Sequence, residues 1–557
     1  MSLKQLFRRK SIHQVLNSDA TAEDHGLNKI LGVRDLTLLG IAAIIGAGIF
    51  STIGRASFEG GPAVSLLFVF TAIACVFTAL SYAQFASTVP VSGSAYTYAY
   101  VSFGELFAWI IGWALILEYA VSNMVVAISW SEYFCSMLAG FGIHFPDFLT
   151  IDPDSARKAA EMVNAAAADP TLLGTFSQST LNAAHAFEMA PKFMGVPLVC
   201  DLPAGLITVF VTALVYIGIK ESRNASNIMV MIKLAVILLV IFGGVFFIKP
   251  ENWSPFAPNG MKGVLGSVAS VFFAFIGFDS ISTTAEECKN PQRDLPKAMI
   301  YCLIICTVLY VAITLVLTGM VNYKELKVDD PLAYVFHAVG YDSIAGIISV
   351  SAVVAITSAL LVYQLGQPRI WMTMSRDGLL WPKFSSIHPK YKTPWFSTLV
   401  TGVLVGVPAM FFDMGFFVDL TSVGTFFAFI LVCSGILYMD ASGLSEHAKF
   451  KVPYVNSKYI VTPAFVVAFY FALSTNHFIE TLNEKPLLFV FWITWAGLSL
   501  AAFKKNFSLL PVMGILTNLY LMTELGITNW TIFVIWLVIG LFIYFSYGIK
   551  HSKMAAR

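Results

Sequence analysis

The feature that most constrains this chain is a series of apolar stretches, each long enough to cross a lipid bilayer. About 20 apolar residues span the hydrocarbon core as an α-helix. On that measure we expect about fourteen spans, centred near residues 46, 74, 120, 210, 237, 275, 309, 358, 403, 428, 467, 494, 516 and 538. Of the 557 residues, 57% are hydrophobic and 12% are charged, whereas soluble domains have about 25% charged residues. We therefore predict an all-α polytopic membrane protein.

Two of these stretches are interrupted by glycine near their middle. Gly46-Ala47-Gly48 lies in the first stretch, and Gly277-Phe278-Asp279 lies in the sixth. Glycine in a helix interior costs about 1 kcal/mol relative to alanine, and a bilayer tolerates unwound backbone only where protein or a cavity surrounds it. The simpler interpretation is close helix packing through small residues. Because the breaks occupy corresponding places in two halves, we favour the central binding site of a transporter.

The two breaks also divide the chain into repeats. Spans one to five and six to ten each begin with a broken helix, which predicts two five-helix repeats of inverted topology. The predicted parts are a cytoplasmic segment at 1–34, a first repeat at 35–250 with an external segment at 141–201, a second repeat at 251–442, four C-terminal helices at 443–549 and a tail at 550–557.

The distribution of lysine and arginine predicts the orientation. With the N-terminus inside, roughly two dozen basic residues fall on the cytoplasmic side and about nine fall outside, which is a strong positive-inside bias. We therefore expect a multi-pass protein of the cell (inner) membrane with both termini in the cytoplasm. The net charge of +1 and the short basic runs give no nucleic-acid signal, and the seven cysteines lack metal or disulfide spacing.

The first break offers main-chain groups to a zwitterion. Unwinding at Gly46, Ala47 and Gly48 frees N–H groups at the start of the following half-helix, where the helix dipole favours a carboxylate. The carbonyl of Ile44, at the end of the preceding half, suits an ammonium group.

The second break predicts the same pair of functions. Carbonyls near Phe273, Ala274 and Ile276 are freed, and a second half-helix dipole lies beyond them. A ligand that carries an ammonium and a carboxylate on one carbon would match these two breaks together.

A single lysine, Lys233, lies well inside the fifth span. An ionisable residue at membrane depth is expensive and is a functional hypothesis by default, although a lysine near a helix end can extend its amine to the interface. We expect protonated Lys233 to bind carbonyls of the first broken helix and hydroxyls such as Thr357 and Ser358 in the eighth span. Deprotonation would remove this support, so Lys233 is the candidate proton-coupling residue.

Acidic residues also lie within the spans. Glu118 is deep in the third span, and we expect it to pair with a cationic group, either Lys233 or the substrate. Glu105, at the cytoplasmic start of that span, is equally consistent with an interfacial acid. Asp279 at the second break is interpreted as a cap of the second half-helix.

Several long motifs, in this order, resemble one family. They are GIAAIIGAGIFSTIG, GELFAWIIGWALILEY, NIMVMIKLAVILL, FFAFIGFDSISTTAEECKNPQRDLPKA and GQPRIWMTMSRDGLLW. Together they resemble the amino acid–polyamine–organocation superfamily, and within it the bacterial form of the cationic amino acid transporter family. The resemblance covers roughly residues 28–445 and the last two spans.

The resemblance implies a fold and a set of site residues. The fold is that of the leucine transporter, which is a standard example of inverted repeats and broken helices. The carboxylate is expected on Ala47 and Gly48, and the amine on the carbonyls of Ile44, Phe273, Ala274 and Ile276. Proton-coupled members carry a lysine in the fifth span, which matches Lys233.

Two features depart from the family pattern. The external segment at 141–201 is longer than the bacterial form implies, and the hairpin at 459–503 resembles an insertion. The eighth span reads LLVYQLGQPR, which places Tyr363 and Gln364 near the expected side-chain pocket. The preferred side chain of the substrate therefore stays open.

These observations predict a secondary transporter that takes up cationic or small neutral amino acids by proton symport. The alternatives are an exchanger without net proton movement and a non-transporting amino acid sensor on the same scaffold. An enzyme is not expected, because no nucleophile–base or metal spacing occurs in the sequence. The expected partners are an amino acid, a proton and the lipid bilayer. No cofactor, metal or nucleic acid is expected, and a small membrane subunit stays an open question.

Overall fold

Helices occupy every predicted span. The computed structural model describes residues 6–10, 31–89, 94–166, 176, 178–217, 223–328, 330–391, 393–445, 448–474 and 478–554. Most of the predicted cytoplasmic segment at 1–34 and the last three residues of the tail lie outside these ranges. Each of the fourteen predicted centres falls on a helix or between the two halves of a broken one. We number the spans in chain order.

The first repeat contains spans 1 to 5. Their helices are Val33–Ile44, Gly48–Thr52 and Ile53–Gly60 (span 1), Val64–Thr88 (span 2), Glu105–Gly140 (span 3), Leu202–Ile217 (span 4) and Arg223–Gly244 (span 5). Shorter connecting helices lie at Gly61–Ala63, Ser94–Ser102, Asp147–Leu149, Pro153–Ala166, Gln178–Met189, Val245–Phe247 and Pro250–Trp253.

The second repeat contains spans 6 to 10. Their helices are Gly260–Gly266, Val268–Phe273 and Phe278–Glu287 (span 6), Pro291–Met320 (span 7), Asp342–Arg376 (span 8), Trp395–Phe411 (span 9) and Met414–Ala441 (span 10). The connecting helices are Tyr323–Glu325, Pro331–Ala338 and Pro382–Ser385.

Four more spans follow the repeats. They are Val461–Ser474 (span 11), Leu487–Lys505 (span 12), Leu509–Thr523 (span 13) and Ile527–Ile543 with Tyr544–Gly548 and Ile549–His551 (span 14). Connecting helices lie at Ser457–Tyr459 and Phe478–Glu484. Within the described residues, ten helical stretches are long and apolar enough to cross a membrane, while spans 4, 9 and 13 are shorter apolar helices. The count of fourteen spans therefore stays a prediction.

Packing between the spans follows the inverted repeat. Equivalent spans of the two halves lie together, since span 2 packs on span 7, span 3 on span 8, and span 4 on span 9. Neighbour relations are also repeated, because span 5 packs on span 1 and span 10 on span 6. Span 10 packs on span 3, and its counterpart, span 5, packs on span 8. The fold is thus the predicted 5+5 inverted repeat with broken spans 1 and 6, while the domain boundaries stay a prediction.

The described part of the segment at 141–201 contains a packed pair of helices and a hairpin. Helices Pro153–Ala166 and Gln178–Met189 pack through buried alanines, and strands Lys192–Phe193 and Val196–Pro197 form an antiparallel hairpin beside them. Asp201 joins this unit to the spans, because its carboxylate accepts a hydrogen bond from Ser131 Oγ at 2.6 Å and another from the Ala204 N–H at 3.0 Å.

Span 14 is tied to span 3 by tryptophans. Trp113 Nε1 donates to the carbonyl of Trp536 at 2.8 Å, and Trp536 Nε1 donates to the carbonyl of Trp113 at 2.9 Å. At the end of this contact Glu105 is fully buried and accepts from Tyr100 and Tyr544. Because Glu105 is surrounded by these hydroxyls, its position here is structural.

Candidate functional site

The first helix breaks at the predicted glycines. The helix ends at Ile44, Ile45 is extended, and the Gly46 N–H turns back to the Ile44 carbonyl at 3.0 Å. The chain becomes helical again at Gly48. A Cβ atom on Gly48 would lie 2.5 Å from the Ala274 Cα atom, so only glycine allows the two backbones to approach this closely.

The second helix breaks opposite the first. The helix ends at Phe273, and a turn carries the chain through Gly277 at φ +114° into the helix that begins at Phe278. A Cβ atom on Gly277 would lie 3.0 Å from the main-chain carbonyl of Ala43. The two unwound segments therefore lie face to face, each against the backbone of the other broken helix.

Tyr310 of span 7 joins the two breaks. Its hydroxyl lies 3.1 Å from the Ile44 carbonyl and 2.8 Å from the Ala274 carbonyl, and its ring packs on Phe68 and Phe275. No sequence signal marks this residue, because one tyrosine in an apolar span cannot be distinguished from a packing residue. The carbonyls of Ile44 and Ala274, two predicted ligands of the amine, thus both accept from the Tyr310 hydroxyl.

Lys233 is fully buried against the first break. Its Nζ atom donates to the carbonyls of Ala42 and Ile45, each at 3.0 Å. The amine therefore does not extend to the membrane surface.

The two predicted hydroxyls of span 8 have other partners. Thr357 accepts from Trp130 Nε1 at 2.8 Å and donates to the Val353 carbonyl at 2.7 Å, and Ser358 donates within its own helix at 2.9 Å. Their contact with Lys233 stays a proposal.

Glu118 faces another carboxylate. It is 3% exposed, interacts electrostatically with Asp279 and lies beside the hydroxyl of Thr425. Asp279 is 2% exposed and lies against the main-chain N–H groups at the start of its own half-helix. Among the residues that the structure describes, its Oδ2 atom has no hydrogen-bond partner. The site therefore has two buried carboxylates within electrostatic range of each other, Glu118 and Asp279 (the carboxylate pair), that the sequence spacing did not indicate.

Tyr363 lies between the breaks and the carboxylate pair. It is 6% exposed, its ring packs edge-on against Tyr119 at 5.9 Å, and its hydroxyl is within electrostatic range of Glu118, Asp279 and Tyr310. The neighbouring Gln364 is engaged elsewhere, donating to Thr212 Oγ1 at 2.7 Å. The place of Tyr363 in a side-chain pocket stays a prediction.

Ion pairs lie near the ends of spans 1 and 8. Arg55 of span 1 pairs with Glu59 of the same helix at 3.1 Å and is within electrostatic range of Asp419 of span 10. Lys10 pairs with Asp377 at 2.6 Å, and Asp377 also accepts from Tyr96 at 2.6 Å.

Two broken helices that meet at their unwound segments within an inverted repeat define a membrane transporter of the broken-helix class. The profile of the amino acid permease family matches residues 31–498, and the profile of the C-terminus of that family matches residues 508–552. The chain belongs to the amino acid permease family of the amino acid–polyamine–organocation superfamily, in its bacterial type, and is a permease and not an enzyme.

Relatives with different named substrates match almost the whole chain. The branched-chain amino acid permease BcaP of Bacillus subtilis (strain 168) is 38% identical over 99% of both chains. The methylthioribose transporter of the same organism is 36% identical over 99% of this chain and 100% of its own. The vacuolar cationic amino acid transporter 4 of Arabidopsis thaliana is 31% identical over 99% of this chain and 97% of its own.

Proposed function

We propose that the protein takes up amino acids by proton symport and alternating access. The observation that carries this proposal is the meeting of the two breaks, with Lys233 bound to the first and Tyr310 bridging both. The amine of the substrate binds the carbonyls of Ile44, Phe273, Ala274 and Ile276. Each carbonyl oxygen has two lone pairs, so an ammonium group can bind beside the Tyr310 hydroxyl.

The carboxylate of the substrate binds the N–H groups around Ala47 and Gly48. These residues begin the second half of span 1, where the positive end of the helix dipole lies. Gly46 and Gly48 have no side chains that would keep a ligand from the main chain.

The proton is carried by Lys233. A protonated amine has three donors and a positive charge, and hydrogen bonds from a charged donor are roughly twice as strong as neutral ones. Loss of the proton weakens both bonds to the first half of span 1. Movement of that half-helix and release of the proton are therefore coupled.

The side chain of the substrate faces Tyr363 and the carboxylate pair. Two buried carboxylates are costly unless a positive charge or donor compensates them, so a cationic or small neutral amino acid fits this end of the site. The named substrates of the relatives include branched-chain and cationic amino acids.

Purified protein in vesicles tests the mechanism. We expect accumulation of amino acid under a proton gradient and none under a sodium gradient. Lys233→Ala should reduce driven uptake to the level of empty vesicles, whereas Lys249→Ala, an exposed lysine beyond the same span, should not. Full driven uptake by Lys233→Ala would end the coupling proposal.

Two assays separate the alternatives. Counterflow that requires internal amino acid and ignores pH would favour an exchanger. Binding without any flux would favour a sensor.

We also propose that both termini lie in the cytoplasm of a cell (inner) membrane, as the distribution of basic residues favours. A membrane-impermeant maleimide should label Met194→Cys in the external hairpin of intact cells. It should label Lys553→Cys only after the cells are permeabilised.

A further inference from the structure

A polar cleft lies where spans 2, 10 and 12 end, away from the central site. It has a volume of about 320 Å³, and Lys451 and Lys505 are among the residues that line it. Lys451 follows span 10 in the chain, and Lys505 is the last residue of span 12. The proposed orientation places this cleft on the cytoplasmic side.

The walls of the cleft are held by Asn506. Its carbonyl accepts from the Tyr454 hydroxyl at 2.9 Å, and its Oδ1 atom accepts from Asn456 Nδ2 at 3.0 Å and from Lys458 Nζ at 3.3 Å. The main chain adds a bond from the Ser457 N–H to the Phe507 carbonyl at 2.9 Å. The two segments that carry Lys451 and Lys505 are therefore fixed relative to each other.

The polar groups at the floor of the cleft already have hydrogen-bond partners within the protein. Gln84 is 1% exposed, donates to Asp440 Oδ1 at 2.7 Å and accepts from the Val452 N–H at 2.8 Å. Ser445 also donates to Asp440. The carboxylate of Asp440 is thus occupied by neutral donors and is not paired with a lysine.

The lysines of the cleft have no acidic partner of their own. Within the described ranges neither Lys451 nor Lys505 forms an ion pair, and Lys449 and Lys504 lie next to them in the chain. Over residues 440–460 and 500–510 the sequence has five lysines and two acidic residues, Asp440 and Glu446. The cleft therefore carries excess positive charge on a rigid frame.

The surroundings of the cleft are apolar and exposed. Leu500 and Phe503 of span 12 are 71% and 61% exposed, and Ile460 at the start of span 11 is 48% exposed. Such side chains face lipid in a membrane protein. The cleft thus lies where polar headgroups meet the acyl chains.

We propose that this cleft binds the phosphate of an anionic phospholipid of the cytoplasmic leaflet, with Lys451 and Lys505 on either side of the headgroup. Basic pockets between spans on this side of a membrane are suited to anionic headgroups. Lipid is favoured over soluble phosphate because the apolar rim adds contact area for the acyl chains. The lipid would join spans 2 and 10 of the repeats to span 12.

Binding is measured with purified protein in nanodiscs that contain fluorescent phosphatidylglycerol or phosphatidylcholine. We expect preference for phosphatidylglycerol, and a loss of affinity on the order of fivefold per lysine in Lys451→Gln/Lys505→Gln. The matched control, Lys297→Gln/Lys390→Gln, removes two exposed lysines elsewhere on the same side and should keep the affinity.

Three outcomes would overturn the proposal. They are equal binding of the two lipids, an equal loss in the control, and full displacement of the lipid by soluble glycerol phosphate, which would assign the cleft to free phosphate. Because binding is measured without transport, failure here is distinct from failure of the proposed symport.

Discussion

The two broken helices stabilise their freed backbone in different ways. In span 1 the carbonyls of Ala42 and Ile45 accept from Lys233, a titratable side chain of span 5. In span 6 the half-helix beyond the break is stabilised mainly by its own residues, with Asp279 at its start and Ser280 Oγ donating to the Gly277 carbonyl at 2.6 Å. The inverted repeat is therefore symmetric in packing and asymmetric in chemistry.

The difference is clearest where the last span of each repeat contacts its broken helix. Span 10 contacts span 6 as span 5 contacts span 1, yet its donor is Ser422, whose hydroxyl lies 3.3 Å from the Ala269 carbonyl. A serine does not titrate near neutral pH, whereas a buried lysine can. This difference supports the proposal that the response to protons belongs to the first break.

The largest effect is expected at Gly277. Gly277→Ala forces a side chain into a left-handed backbone conformation against Ala43, which should lower the free energy of unfolding by about 2 kcal/mol or more. The control Gly346→Ala has open space and lies within span 8. Thermal unfolding of both variants in detergent checks this. Equal stability of the two variants would mean that the second break does not require a glycine at its turn.

The next effect concerns the carboxylate of the second break. Asp279→Asn keeps an acceptor for the half-helix but removes the charge beside Glu118. Uptake of lysine should fall by about tenfold or more, while uptake of alanine should change by less than about threefold. Asp342→Asn, at the exposed start of span 8, is the control. An equal loss of uptake for both substrates would mean that Asp279 acts only as a helix cap.

A smaller effect is expected where one residue joins both breaks. Tyr310→Phe removes the donor to the Ile44 and Ala274 carbonyls, which should cost about 1–3 kcal/mol in the substrate-free protein. The thermal shift caused by substrate should increase, because the ammonium replaces the lost donor. Tyr133→Phe, which loses a bond to the Phe50 carbonyl, should lower stability without changing that shift. An unchanged thermal shift in Tyr310→Phe would mean that the Tyr310 hydroxyl does not lie at the binding site of the substrate amine.

The smallest effect is expected at Ser422, the hydroxyl by which span 10 contacts span 6. Ser422→Ala removes a buried hydroxyl and both of its hydrogen bonds, so stability should change by about 1 kcal/mol or less. Proton-driven uptake should change by less than about twofold, and its pH profile should stay in place. A shifted profile, measured in the same vesicles as Lys233→Ala, would contradict the asymmetry.

The fold could be predicted from the sequence because the sequence signals for it are local. Apolar length predicted the spans, and glycine within an apolar run predicted both breaks, since each requires a backbone without a side chain at a close contact. Basic residues in loops and the resemblance to a known family supported the same arrangement.

Parts of the site could not be predicted, because they depend on which face of a helix meets which neighbour. Glu118 faces Asp279 across two elements, although the sequence allowed Lys233 as its partner. Thr357 accepts from Trp130, a partner more than 200 residues away in the chain. Tyr310 joins the breaks through a side-chain orientation that no spacing in span 7 indicates.

The reciprocal bonds between Trp113 and Trp536 have a mechanical consequence. Because each indole is bonded to the main chain of the opposite helix, span 3 cannot tilt without carrying span 14 along. Glu118 lies five residues beyond Trp113 in span 3, or about 1.4 helical turns. We therefore expect span 3, as one wall of the substrate path, to stay in place. During each transport cycle we expect the first half of span 1 to move relative to spans 3 and 14, which stay in place together.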